Sequence, residues 1–245
     1  MSLLTSDVAQ HFWTEARLPE MYPRDIEHAV ALVLPVAIVK LPALTTSEVE
    51  LWLARNDVVI QVGTQPVDLM GCLIANRGHG IMFVCGGDPP DEQRLTVAHE
   101  AAHFLRHYKI PRERVLQALG EAITPVLDGE REATPEERVA GVLSGVRVGA
   151  HVHLVPREGV RESRVAIAEG EADDLGLELI APREAVLAFL RTRHVEQLGL
   201  VEQQRALAST FGVPAHAFVA AVADHNRVRP ASFVADALSA IRERR

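Results

Sequence analysis

The run RLTVAHEAAHFLRHY, Arg94 to Tyr108, leaves this part of the chain little conformational choice. Leu95, Ala98, Ala102 and Leu105 recur at helical spacing, and no glycine or proline interrupts them from Leu95 to Tyr108. The stretch therefore reads as a helix with a buried stripe, which must be packed against other elements. Three histidines and a glutamate ride on it within nine positions: His99, Glu100, His103 and His107. Residues four apart share a helix face, so the imidazoles of His99 and His103 can reach one cation without strain. Glu100 sits about 100° round from His99, placed to address a water beside that cation. This H-E-x-x-H arrangement suits hydrolysis of an amide or ester, with the carboxylate taking the proton of the attacking water. His107 extends the ladder by one more turn. Arg106 and Lys109 stand where a three-histidine version of the pattern needs Gly and His, so His107 reads as a residue near the helix-end carbonyls.

Upstream, residues 6–18 and 24–34 have helical periodicity, with Ser6 as a cap for the first and Pro23 and Pro35 bracketing the second. Five apolar clusters follow: VAIVKLP, VELWLA, VVIQV, GCLIA and GIMFV, separated by turn signals such as ARND, GTQP and NRGHG. They predict a small sheet of short strands. Downstream, residues 112–145 read as irregular, charged helix, and VRVGAHVHLVP (146–156) alternates like a hairpin or strand. Residues 164–180 return to helix, APREAVLAFLRTR gives another, and the end reads as two short helices around a Phe-Gly-Val turn.

A site with two histidines wants a third protein donor, commonly a carboxylate. In AIAEGEADDLGLELIAP, Ala168, Ala172, Leu175 and Leu179 form an apolar stripe, and Glu169, Asp173 and Gly176 share the neighbouring face. Two carboxylates followed by a residue without a side chain suit a helix lying tightly on the histidine helix. Glu169 would be the ligand, and Asp173 could accept a hydrogen bond from the far nitrogen of a ligating histidine. His151 and His153, on one face of a strand, are the competing donors. Glu171 and Asp174 point elsewhere and read as solvated.

With a formal charge of −8 and a pI near 5.8, the chain is not built to coat nucleic acid. Residues 183–245 carry nine arginines against six acids, a locally basic stretch that a solvated helical face explains as well as phosphate contacts do. Cys72 and Cys85 are too few for a disulfide framework and read as buried thiols in a reducing compartment. The N-terminus lacks the features of a signal peptide, and no window approaches 18 uncharged apolar residues, so the expectation is a soluble protein of the cytoplasm without a membrane partner.

Two segments together resemble the ImmA/IrrE family of zinc metallopeptidases. GCLIANRGHGIMFV through RLTVAHEAAHFLRH is similar to that family's strands followed by T-x-A-H-E-x-G-H-x-x-x-H. EGEADDLGLELIAP is similar to its E-x-x-A-[ND]-x-F-A-x-x-L-L-x-P, with the same length from Ala172 to Pro182. The resemblance implies Zn²⁺ held by His99, His103 and Glu169, with Glu100 as general base, in a gluzincin-like endopeptidase. It implies that the substrate is a helix-turn-helix repressor whose loss switches on a stress or mobile-element programme. Ala102 stands where the family has Gly, and Leu175-Gly176 replaces Phe-Ala; both change packing volume and leave the chemistry intact. His103 and Glu169 are 66 residues apart, longer than the family shows, so residues 109–163 read as an insertion forming a lid or docking arm. Some relatives carry a helix-turn-helix region after the peptidase. ALASTFGVPAHAFVAAV has the spacing of such a unit, but Pro214 and Ala215 replace the polar start of a recognition helix, which favours packing over DNA reading.

The expected fold is α+β: a zincin-like core over residues 1–182 with a small mixed sheet packed on helices, and a C-terminal helical region over 183–245. His151, His153, Tyr108 and His107 are all open as the group that stabilises an oxyanion. A regulatory protein that keeps the zinc scaffold and binds a repressor or DNA is the alternative, and a hydrolase of small amides is a third.

Overall fold

The computed structural model describes residues 5–63, 65–146, 148–157 and 163–227. It divides into two compact units, one formed by residues 1–20 and 25–180, the other by residues 21–24 and 181–245. The first is α+β. In chain order it contains α1 (Thr5–Ala16), α2 (Ile26–Val33), β1 (Val36–Leu41), α3 (Thr46–Arg55), β2 (Leu69–Asn76), β3 (His79–Cys85) and α4 (Pro90–His103). A π-helical turn, Phe104–Lys109, leads into α5 (Ile110–Leu119), then α6 (Thr124–Leu127), α7 (Pro135–Ser144), β4 (His151–Pro156) and α8 (Ser163–Ile180). The second unit contains α9 (Arg183–Leu190), α10 (Arg193–Glu196), α11 (Leu200–Phe211) and α12 (Val219–Arg227).

The four strands lie in the order β1-β3-β2-β4, with β1 parallel to β3 and the other two pairs antiparallel. Arg77 and Gly78, both at positive φ, close the β2–β3 hairpin in a two-residue turn whose twist matches the strands it joins. Strand alternation sorts the side chains onto two faces. Cys72, Ile74, Phe83 and Cys85 pack with Val49 and Leu53 of α3, while Val152 and Leu154 of β4 cover the same cluster. The opposite face carries Gly71, Gly80 and the β4 residues His151, His153 and Val155, and it meets α4 and the π turn. Two glycines set how closely they meet: a Cβ on Gly80 would stand 3.0 Å from the Phe104 ring, and one on Gly71 would stand 2.5 Å from Glu100 Oε1.

Two of the five expected strands are not strands. VELWLA is part of α3, because Thr45 caps a helix there by accepting a hydrogen bond from Glu48 N at 3.1 Å. The apolar residues of that segment then follow helical spacing, with Val49 and Leu53 buried and Leu51 exposed. VVIQV forms no ladder. The Glu50 carboxylate instead accepts from Val62 N at 2.8 Å and Gly63 N at 3.3 Å, and Val59 points into solvent. Both cysteines are buried free thiols, as expected.

The segment expected as an insertion, 109–163, is not an appendage throughout. Residues 151–156 are β4, paired with β2 over most of its length, and earlier in the segment Val115, Ile123, Val126 and Leu127 form a small cluster of their own. Helix α8 packs on α4, and Gly176 explains how closely: a Cβ there would lie 3.1 Å from both Cα and N of His99. Trp13 of α1 donates its indole N–H to the Leu179 carbonyl at 2.8 Å, tying α1 to the end of α8.

In the second unit, Phe189, Phe211 and Phe218 form an aromatic cluster with Tyr22. Gly212 ends α11 in the left-handed conformation, and α11 meets the following helical segment, Ala215–Arg227, at 116°. The exposed positions of that segment are His216, Val219, Ala220, Asp224 and Arg227. The basic residues beyond Arg227 lie outside the described residues. No single helix among the described residues is long and apolar enough to cross a membrane.

Candidate metal centre

The site forms where α4, β4 and α8 meet. Helix α4 begins at Pro90, whose fixed φ suits a first helical position, with Asp91 and Glu92 in its positive first turn. Every residue from Val97 to His103 is buried, so the two histidines and Glu100 face protein rather than water. The π turn follows, and Pro111, which has no N–H to donate, lies just beyond it.

His99, His103, His153 and Glu169 each offer a donor atom, and the four atoms lie within 4.8 Å of one another. This group could hold a metal ion. His99 Nε2 and His103 Nε2 are 3.1 Å apart. Glu169 Oε2 is 3.6 Å from His99 Nε2, and Oε1 is 3.6 Å from His103 Nε2 and 2.6 Å from His153 Nε2. The His153 ring stacks on that of His103, with centroids 3.5 Å apart.

Each ring nitrogen that faces away from the cluster has a partner. His99 Nδ1 donates to Asp173 Oδ1 at 2.8 Å. His103 Nδ1 pairs with His107 Nδ1 at 3.0 Å, and His107 Nε2 lies 3.5 Å from Glu171 Oε2. His153 Nδ1 lies 3.0 Å from Glu100 Oε2. Glu100 itself is 0% exposed, and its Oε1 has no hydrogen-bond partner among the described residues.

The electrostatics follow from this crowding. Burial works against the His99 imidazolium, but the Asp173 and Glu169 carboxylates outweigh it and hold the pKa up at about 9. Burial likewise opposes charging His153, and Glu100 with Glu169 raises it to about 9. His103 is pushed far down, by burial first and then by the neighbouring His153 and His99. Burial would lift Glu169, yet hydrogen bonds from His153 and His99 hold its carboxyl well below the usual range. Four donors aimed at one small volume could share a cation between them.

The structure thus brings His99, His103 and Glu169 together, with Asp173 on the far nitrogen of His99. His153, which sequence placed as a rival of Glu169, joins the same cluster. The alternation of VRVGAHVHLVP places His151 and His153 on one strand face, but no local pattern says which helix that face meets. His107 stays outside the donor group and supports His103. Glu171, expected in solvent, is half-exposed and also faces Arg106 Nε at 3.5 Å. The site and fold define an α+β protein with a buried histidine–glutamate centre. No family model and no curated protein matches the chain, so the family resemblance rests on the two quoted motifs.

Proposed function

We propose that the chain is a zinc-dependent endopeptidase of the cytoplasm, with His99, His103 and Glu169 as ligands, Glu100 as general base and Asp173 positioning His99. The observation that carries this reading is the spacing of the donors. Ligands at zinc's usual distances of about 2.0–2.1 Å, set tetrahedrally, are about 3.4 Å apart; His99 Nε2 and His103 Nε2 stand 3.1 Å apart, and each lies 3.6 Å from one oxygen of the Glu169 carboxylate, Oε2 for His99 and Oε1 for His103. Zinc bound there supplies Lewis acidity, polarising a carbonyl and acidifying water. Glu100 Oε1, buried and unpaired, suits proton transfer: it accepts a proton from the attacking water and returns it to the departing amide nitrogen.

The substrate class, a helix-turn-helix repressor, follows from the resemblance to the ImmA/IrrE family. A direct DNA role draws no support from α12, whose exposed positions are largely small, apolar or acidic rather than the Arg, Lys and Asn that contact phosphates and bases. The alternative, a regulatory binder without catalysis, is favoured by one observation, the His153 contact that engages the proposed base.

The test is cleavage of a helix-turn-helix repressor encoded next to this chain's gene. Cleavage in the presence of zinc, lost with a chelator and reduced at least about 10²-fold in Glu100→Gln, is the expected result. Regulation that survives Glu100→Gln in full would replace the peptidase with the binding reading.

A further inference from the structure

We infer that His153 is a fourth, displaceable metal donor that keeps the centre closed and its base engaged in the resting protein. The inference rests on the peptidase reading above and concerns regulation of that same site. Three observations carry it. First, His153 Nε2 belongs to the donor group and reaches Glu169 Oε1 at 2.6 Å, so its ring occupies the cluster itself. Second, its far nitrogen has a carboxylate partner, Glu100 Oε2 at 3.0 Å, as that of His99 has Asp173 at 2.8 Å. Ligating histidines are held in this way, with the outer N–H donated to a carboxylate that fixes the ring. Third, Glu100 is fully buried and has no solvent to turn to, and the bare Gly71 makes the space it occupies: a Cβ there would stand 2.5 Å from its Oε1.

Three protein donors leave a tetrahedral cation one place for water or substrate, whereas four leave none. With His153 in place, Glu100 acts as the orienting partner of a ligand rather than as a base. One displacement reverses both conditions: when the His153 ring leaves, a coordination place opens and the Glu100 carboxylate is released. β4 itself is held by its ladder to β2 and, at its end, by the Arg157–Asp88 ion pair, so the displacement is one of the ring alone. The resting peptidase is therefore held below its full rate, and whatever draws His153 aside raises it.

Cobalt(II) in place of zinc reads the coordination directly, through its visible d–d bands, and azide probes for an open place. The expected result is a wild-type spectrum unmoved by azide and a His153→Ala spectrum that shifts, with cleavage of the repressor rising in the variant. A wild-type spectrum that azide shifts as far as the variant's overturns the latch and leaves the peptidase reading intact. An open, azide-binding His153→Ala variant that cleaves nothing supports the latch and removes the peptidase. Failure of the wild type to take up cobalt removes both. X-ray absorption on the zinc-loaded wild type needs no variant: three imidazoles support the inference, and two overturn it.

Discussion

The three clustered imidazoles are held by three different partners, and the difference has consequences at single residues. Asp173 is 65% exposed at its side chain, so it contributes little to the core while fixing the His99 ring. Asp173→Asn should therefore weaken zinc binding by about 10- to 100-fold with little change in melting temperature, measured by competition with a chromophoric chelator. His103 instead leans on His107, which hands the contact on toward Glu171. The fourfold spacing of His99, His103 and His107 was legible in the sequence, as was the shared face of Glu169, Asp173 and Gly176. The role of His153 was not. Its contact with Glu100 spans 53 residues, and strand periodicity reports a face without naming the helix opposite. The thiol of Cys72, pushed up by burial and then by Glu100, should resist alkylation at pH 8 until the chain is unfolded; thiol counting with and without denaturant reads this directly.

Among the elements, α3 shows how a cap overrides an apolar pattern. VELWLA carries β-branched and aromatic residues, yet Thr45 and Glu48, three positions apart, carry the start signal of a helix and place the segment on the sheet instead of in it. That signal was present in the sequence and was outweighed there by strand propensity. Thr45→Ala should lower stability by about 1 kcal/mol and leave zinc affinity unchanged, checked by denaturant unfolding. The π turn between α4 and α5 is a second local device. It widens the helix at Phe104–Lys109, directly after His103, where Tyr108 accepts a hydrogen bond from Gly78 N at 2.7 Å. Helical periodicity continues through Leu105, so nothing in the sequence marks that widening apart from Pro111 downstream.

At the scale of the whole molecule, the α+β order of elements was readable, and the course of residues 109–163 was not, because a short alternating strand after a long polar stretch gives no sign of the sheet it completes. The proposed centre ties α4, β4 and α8 of the first unit together, so removing its cation should be felt well beyond the ligands. Zinc present at about 1,000 times its Kd adds about 4 kcal/mol to the folded state. A chelator should then lower the melting temperature on the order of 10 °C, which calorimetry with and without chelator would measure. The order of assembly carries a further consequence. His103 and Glu169 are 66 residues apart in sequence, and β4 sits at the sheet edge, so the donors meet only through long-range docking. Zinc would then arrive after the rate-limiting barrier: it should slow the escape from the native state many-fold while leaving the speed of refolding nearly untouched.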